Sequence, residues 1–384
     1  MGTCTSHDVE IDFRTNLKKL PLDIPISEKI LNRRRGGVPM LSDLSSFIKE
    51  STEDFEKTSQ PKEYIEQKIQ ELEHKVDLVS KIDCWDMNIF EISDLSEDHP
   101  ICCVGMYLLK SHGLIEEFGL NTTCLSMFLY EVQRNYWSIN LYHNATHAAD
   151  VAQSMNILLT RCPFLSENVT KVDYFACILA ALCHDLNHPG VNQKFLRNTD
   201  HIIVSTYQAS PLENFHAARA HTLLKSSGLI KHLDDDVQKE IYTIINHLIL
   251  ATDMEQHRTY MEKFNVCVAT GLNMKDKKTK ILTLCIAIKC ADISNGCRPW
   301  IVCKSWAENI MGEFFIQGDI EKEMELPISP LCNREQEKIP QSQVGFINYV
   351  LLPLFECWQN AVNCEVIGEA IAYLKSNRET WNTL

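Results

Sequence analysis

The sequence predicts an all-α protein, a compact multi-helix domain over residues 61–384 behind a flexible leader over residues 1–60. Three observations carry this prediction. From residue 83 onward apolar residues recur at spacings of three and four, the signature of helices with one buried face. No stretch shows the sustained alternation of a half-buried strand. The connections between the periodic stretches are short, with one exception, and no internal repeat is apparent.

Taken in order, residues 1–60 are polar and patternless, interrupted by Pro21, Pro25, Gly36, Gly37 and Pro39. Such a segment has too little apolar surface to offset the entropy of ordering it. Met1-Gly2-Thr3-Cys4-Thr5-Ser6 fits the N-myristoylation pattern, with Cys4 available for a second acyl chain. One acyl chain alone gives only weak membrane association. Arg33-Arg34-Arg35-Gly36-Gly37-Val38 is the leader's only basic cluster. It is similar to a recognition site of a basophilic kinase such as the cAMP-dependent kinase, with Gly37 where a phosphorylatable hydroxyl would stand; the plain alternative is a solvated basic patch.

Over residues 63–82, Ile65, Ile69, Leu72, Val76 and Val79 fall four and three apart, which predicts a helix packed onto the domain and too short for a coiled coil. Helical patterns follow at 104–109, 123–136, 145–160, 171–183, 191–197, 216–226, 236–250, 260–268, 278–291, 300–317 and 344–360. Thr170 is placed to cap the run beginning at Lys171, and Asp236 stands ahead of Ile241, Ile244, Ile245 and Leu248. The long connection, 318–343, contains Pro327, Pro330 and Pro340 and reads as a lid over a site.

Composition narrows the function. The chain has 384 residues, 45% apolar and 23% charged, with a formal charge of −14. That charge argues against a nucleic acid polymer as partner, since phosphate contacts need a basic surface. A small phosphate ester stays open if metal ions supply the positive charge. No apolar run reaches the length of a transmembrane helix, and the N-terminus lacks the apolar region of a signal peptide. The sixteen cysteines mostly lie inside apolar helical patterns, such as Cys102, Cys103, Cys177, Cys183, Cys285 and Cys290, and form no CxxC framework. They read as buried thiols of a reducing compartment, hence a cytoplasmic protein that the leader could tie weakly to membrane. The sequons at Asn121, Asn144 and Asn168 then carry no glycan.

The chemistry-bearing residues sit at the ends of the most apolar runs. His184-Asp185 closes the run 174–182, and the pair alone is weak evidence, because such couples also occur as ordinary hydrogen-bonded neighbours. Upstream, His143 and His147 are four apart and share one helix face. Downstream, Asp292 follows the apolar run 281–288, where a carboxylate needs a cation or a hydrogen-bond partner to offset its desolvation. A shared metal centre explains all three segments. If His147, His184, Asp185 and Asp292 converge, two imidazoles and two carboxylates suit an ion of the zinc type, and Asp185 can bridge to a second ion, magnesium or manganese. Two such ions activate water for in-line attack on a phosphate. The leaving alkoxide needs a proton, which His143, one turn from His147, is placed to give. His188, Glu213 and Asp253 stand near enough in the pattern to orient ligands or water.

With those residues in hand, the sequence resembles the class I 3′,5′-cyclic nucleotide phosphodiesterases of the HD metal-hydrolase superfamily, over residues 83–381. Tyr142-His143-Asn144-x-x-His147, His184-Asp185-x-x-His188-Pro189-Gly190, Leu212-Glu213-Asn214, Ala251-Thr252-Asp253-Met254, Ala291-Asp292-Ile293-Ser294-Asn295 and Ser342-Gln343-Val344-Gly345-Phe346 occur in the family's order. Ser111-His112-Gly113-Leu114-Ile115-Glu116, His147-Ala148-Ala149-Asp150-Val151, His188-Pro189-Gly190-Val191-Asn192-Gln193 and Asn295-Gly296-Cys297-Arg298 are similar to the high-affinity cAMP-specific, rolipram-insensitive branch, the seventh mammalian family. The resemblance implies hydrolysis of cyclic AMP to 5′-AMP, terminating its signal. It implies His143 as general acid, Glu313 orienting it, and His147, His184, Asp185 and Asp292 holding the metals. His188, Glu213 and Thr252 would surround the second ion through water. Gln343 would bond the purine edge and Phe346 stack on its face, with Ile310 or Val302 opposite and Tyr142 and Asn295 also at the substrate.

The sequence departs from the pattern at Asn187, where aspartate is common, at Phe215, where a histidine is usual, and at Gly296, where proline is frequent. Because a glutamine amide can present donor and acceptor either way round, a dual or cGMP-preferring enzyme is the alternative within this chemistry. A different class of function, inhibition of a basophilic kinase by residues 33–38, is the alternative outside it.

Overall fold

Helix after helix, with no strand among the described residues, builds the protein, and the computed structural model describes residue 71 and residues 81–384. The leader, Gly2 and Cys4, the basic cluster 33–38 and, apart from Glu71, Lys81 and Ile82, the expected helix 63–82 lie outside the described residues. Besides the helix His257–Thr270, the elements that frame the site are α1 (Pro100–Ser111), α2 (Thr122–Arg134), α3 (Ala145–Arg161), α4 (Lys171–Cys183), α5 (Pro211–Ser227), α6 (Asp235–Ala251), α7 (Lys277–Asp292), α8 (Trp300–Glu323), α9 (Ile339–Phe346), α10 (Leu352–Val362) and α11 (Glu365–Asn382).

The core is laid around α4, the most apolar helix, in which every residue from Asp173 to Cys183 is buried. Its start is fixed by a capping box: the Thr170 hydroxyl accepts from Asp173 N at 3.1 Å, and the Asp173 carboxylate accepts from Thr170 N at 3.0 Å. Lys280 of α7 neutralises that buried carboxylate at 2.8 Å. Helices α3 and α6 pack on α4, and α7 packs on both α3 and α6. Polar caps set the other starts. Asn121 accepts from Cys124 N at 2.9 Å to open α2, and Asn144 accepts from Thr146 N and His147 N at 3.0 and 3.2 Å to open α3. Two of the three sequon asparagines are thus helix caps.

Behind the last turn of α7, the buried Arg298 ties four segments together. Its guanidinium donates to Asp150, Gln153 and Ser154 of α3 at 3.1, 2.8 and 2.6 Å and to the Trp85 carbonyl, and lies 4.5 Å over the Trp85 ring. Asn377 of α11 donates to the Gly296 and Arg298 carbonyls at 2.9 and 2.8 Å. The turn that follows Asp292 is therefore fixed from both sides.

Four elements differ from the sequence pattern. Helix α5 begins at Pro211, five residues earlier than the apolar pattern, because proline suits a first turn. Helix α8 runs on to Glu323, which shortens the long connection to 324–338, and Pro340 belongs to the first turn of α9. The helix expected at 344–360 is continuous but widened into a π turn over Ile347–Leu351. Pro353 explains it: without an N–H, and with its ring against the preceding turn, it cannot continue the regular ladder. Helix α11 had no counterpart in the sequence reading, although Val366, Ile367, Ala370, Leu374 and Trp381 form a buried stripe of helical period. The fifteen described cysteines are free thiols, most of them buried.

Candidate active site

The first turn of α3, the end of α4 and the end of α7 meet at one point, and each delivers a ligand-type side chain. His147 is carried by α3 one turn beyond its Asn144 cap, His184 and Asp185 follow the last residue of α4, and Asp292 is the last residue of α7. Both histidines are wholly buried. His184 donates its Nδ1 hydrogen to the Ala181 carbonyl at 2.8 Å, which turns Nε2 toward the other donors.

Their donor atoms converge. His147 Nε2 lies 3.2 Å from His184 Nε2, 3.1 Å from Asp292 Oδ1 and 3.6 Å from Asp185 Oδ2. His184 Nε2 lies 3.1 Å from Asp185 Oδ2 and 3.3 Å from Asp292 Oδ1. A tetrahedron of nitrogen and oxygen ligands about 2.0–2.1 Å from a zinc ion has edges of roughly 3.3 Å. The five separations given lie close to that edge, so the set of nitrogen and oxygen donors suits a divalent cation. Electrostatics agree. Burial would push the Asp292 carboxyl up, but hydrogen bonds from His147 and His184 hold it well below the usual range, and Asp185 is held down against burial by His184.

His143 lies just ahead of the Asn144 cap, in the bend before α3 and not on one helix face with His147 as its spacing predicts, and its Nδ1 is hydrogen-bonded to Glu313 Oε1 of α8. The other oxygen of Glu313 accepts the backbone N–H groups of Tyr142 and His143 at 2.9 and 3.1 Å. Burial alone would lower the imidazole pKa; the Glu313 carboxylate, with Asp185 and Asp292 behind it, lifts it to about 9. Glu313 in turn, though buried, is held at about 2 by His143. The pair is thus an imidazolium and a carboxylate at neutral pH. The His143 ring stacks on His188 at 3.9 Å, and burial followed by the His143 charge keeps His188 neutral.

These groups line a cavity of ≈ 540 Å³. Tyr142, His143, Asp185, His188, Glu213, Thr252, Asp292, Asn295, Ile310, Glu313, Gln343 and Phe346 all face it, with His147 and His184 behind. Tyr142 donates its hydroxyl to Asn295 Oδ1 at 3.0 Å. Glu213, on the first turn of α5, is pushed by burial and by Asp253 up to about 8. Thr252 ends α6 with its hydroxyl on the Ile249 carbonyl at 2.7 Å.

Val302 does not belong to this set. It is 2% exposed and packs in the core, whereas Ile310 faces the cavity. The two are eight residues apart on α8, which turns them about 80° from one another. The 324–338 connection, expected to close as a lid, is tied down. The wholly buried Glu321 accepts from Ser329 N and Ser329 Oγ, both at 2.6 Å, and from Gln317 Nε2 at 2.9 Å. Gln317 Oε1 accepts from Asn192 N at 2.8 Å, and Pro330 and Leu331 form part of the cavity rim. A Cβ on Gly318 would come within 1.9 Å of the Cys332 carbonyl oxygen, so only glycine lets the loop lie on α8.

Sequence reasoning missed two residues here. His216 donates Nδ1 to the Leu186 carbonyl at 2.7 Å and turns Nε2 toward Asp185 Oδ1 at 3.9 Å. Gln193 Nε2 bridges the Glu213 and Asp253 carboxylates at 3.1–3.3 Å. The signal for His216 was present, three residues after Glu213 on one helix face. Gln193 carried none, because its role depends on two segments distant in sequence. Phe215, the departure beside His216, is buried and does not face the cavity. Asn187, another of the three, has φ 61° and accepts from the buried Arg219 at 2.9 Å.

Comparison with known proteins agrees with this geometry. The profile of the 3′5′-cyclic nucleotide phosphodiesterase family matches residues 142–369, the span that holds every residue above. The chain is 33% identical over 309 residues to the 3′,5′-cyclic-AMP phosphodiesterase 4C of Rattus norvegicus, covering 78% of this chain and 57% of that one. It is 34% identical over 315 residues to a probable 3′,5′-cyclic-AMP phosphodiesterase of Caenorhabditis elegans, covering 79% and 46%. It is 32% identical over 317 residues to a 3′,5′-cyclic-AMP phosphodiesterase of Drosophila melanogaster, covering 80% and 48%. The chain spans about half the length of these relatives. With the converged donor set and a profile match over more than half of its length, this chain belongs to the 3′,5′-cyclic nucleotide phosphodiesterase family.

Proposed function

We propose that this protein hydrolyses 3′,5′-cyclic AMP to 5′-AMP and so ends its signal. The observation that carries the reading is the convergence of His147, His184, Asp185 and Asp292 beside the hydrogen-bonded His143–Glu313 pair, at the wall of one cavity. The four donors would hold a zinc-type ion, with Asp185 shared with a second ion, magnesium or manganese, on the side of His188, Glu213 and Thr252. When bound, such ions neutralise the phosphate and make water a better nucleophile.

The chain's own residues do the rest. Glu313 keeps His143 protonated and its ring aimed, so that the ring's other nitrogen can give a proton to the 3′ oxygen as its bond to phosphorus breaks. Phe346 and Ile310 flank the base, and Gln343 meets its edge. The apolar walls exclude water around the reacting diester and strengthen these polar contacts.

A second reading, a dual or cGMP-preferring enzyme, is favoured by one observation. Among the described residues, no side-chain hydrogen bond fixes the Gln343 carboxamide, so it can serve adenine or guanine. The relatives above are named as cyclic-AMP phosphodiesterases, the rat protein as 4C; the seventh-family branch is supported only by the segments 111–116, 147–151, 188–193 and 295–298. We take 61–384 as the catalytic domain and the cytoplasm as its location. Among the described residues no helix is long and apolar enough to cross a membrane.

The test is a metal-stripped, reconstituted preparation assayed with both nucleotides. Release of 5′-AMP that depends on added divalent metal, with higher kcat/KM for cyclic AMP, is expected. No release of either 5′-nucleotide ends the proposal, and equal efficiencies end its cAMP-specific part. Inhibition of a basophilic kinase by a 33–38 peptide would separately support the leader's second role.

A further inference from the structure

Asn140 sits where the segments bearing His143, His147 and His188 meet, and it is 6% exposed. Its Nδ2 donates to the His143 carbonyl at 2.9 Å and to the His188 carbonyl at 2.9 Å. Its own backbone carbonyl accepts from Asn144 Nδ2 at 2.9 Å, and Asn144 Oδ1 caps α3 under His147. On its other side, a Cβ on Gly190, which stands at φ 71°, would come within 2.6 Å of Asn140 Oδ1. Asn140 Oδ1 therefore occupies space that a side chain at position 190 would take.

We infer that Asn140 is a positioning residue of the proposed reaction, a single carboxamide that locks the backbone of His143 to that of the 188–190 loop. The inference rests on the reading of His143 as proton donor. A primary amide does this with one uncharged atom, because its nitrogen carries two hydrogens directed to different acceptors. Fixing the two carbonyls fixes the peptide planes after His143 and His188, and with them the start of each side chain. The two rings then stack at 3.9 Å, inclined by 19°. Glu313 holds His143 from its N–H and ring, and Asn140 holds it from its carbonyl. Loss of the carboxamide leaves the ring bonded to Glu313 but free to pivot about its backbone.

The test uses the full chain with Asn140→Leu, close in size, uncharged and without donors. For cyclic AMP, kcat is expected to fall on the order of 100-fold, the cost of misplacing a reacting group by about an ångström, with KM and bound divalent metal unchanged. For the analogue with sulfur as the 3′ bridging atom, whose thiolate leaves without a proton, the variant is expected to match the parent within a few-fold. Equal losses on both substrates, loss of metal, or undiminished turnover of cyclic AMP would overturn the inference. If Asn140→Leu does not fold, Asn140→Ser, which keeps one donor, is read on the same two substrates for a smaller loss in the same direction. A parent enzyme inactive on both substrates would overturn the functional reading itself.

Discussion

A carboxylate or imidazole with no charge partner would be costly in the interior, and at this site the interior makes the partners explicit. Asp292 has two histidines within 3.3 Å, and either it or a histidine becomes an uncompensated buried group if the other is removed. Asp292→Ala is therefore expected to abolish metal-dependent turnover together with high-affinity metal binding, measured by metal analysis after dialysis. His143→Ala is expected to keep its metal while kcat falls about 10²–10⁴-fold, the usual contribution of a positioned acid. Metal retained at the parent's level in the first variant, or full activity in either, would contradict the assignment. The place of His184, Asp185 and Asp292 at the ends of apolar runs made them legible in the sequence; the four-residue spacing brought out His143 and His147 too, although the helix starts at Ala145 and His143 lies ahead of it. Val302 was misjudged because eight residues along a helix carry a side chain roughly 12 Å along the axis and turn it about 80°.

At the level of elements, the 324–338 loop is held by a buried chain of hydrogen bonds from Asn192 through Gln317 and Glu321 to Ser329. Prolines and length alone suggested mobility, and Glu321 and Gly318 decide otherwise. Glu321→Ala strands the Ser329 N–H in the interior. It is expected to lower unfolding free energy by about 1.5–3 kcal/mol and to raise KM with kcat little changed, because the loop shapes the rim and touches no reacting group. A denaturant titration with steady-state kinetics checks both, and an unchanged KM would show that the rim does not depend on this anchor. The π turn before Pro353 makes the same point. The missing N–H was readable, but whether the helix would break or widen depended on what packs around it.

Across the whole molecule, two kinds of buried polar group set its response to conditions. Arg298 and Asp150 form a wholly buried pair joining α3 to the turn behind the site. Arg298→Met removes one charge and is expected to destabilise by about 3–5 kcal/mol, since Asp150 then stays buried without its partner; a melting curve like the parent's would refute this. His201 and His221 are both pushed by burial down to about 4. Their folded pKa lies below the unfolded value of about 6.5. Between those limits the unfolded chain takes up protons that the folded chain does not, so their contribution is complete above pH 6.5 and is lost as pH falls toward 4. The slope is at most ~1.4 kcal/mol per pH unit for each. Urea midpoints measured from pH 7 to 4.5 should fall, and His221→Gln should flatten the fall; an equally steep decline in that variant would remove His221 from the account.

What the sequence by itself determined was the helical architecture and the identity of the chemical groups. Apolar period and chemical type are local properties, and a histidine or aspartate closing an apolar run needs a partner wherever the chain places it. What only the tertiary structure decided was which groups share a centre, which face of α8 meets the cavity, and that Asn140, Gln193, His216 and Glu321 support it. Their roles come from hydrogen bonds to backbone and side chains elsewhere in the fold, and, apart from the Glu213–His216 spacing on α5, no spacing in the sequence encodes a distance between segments that only packing brings together.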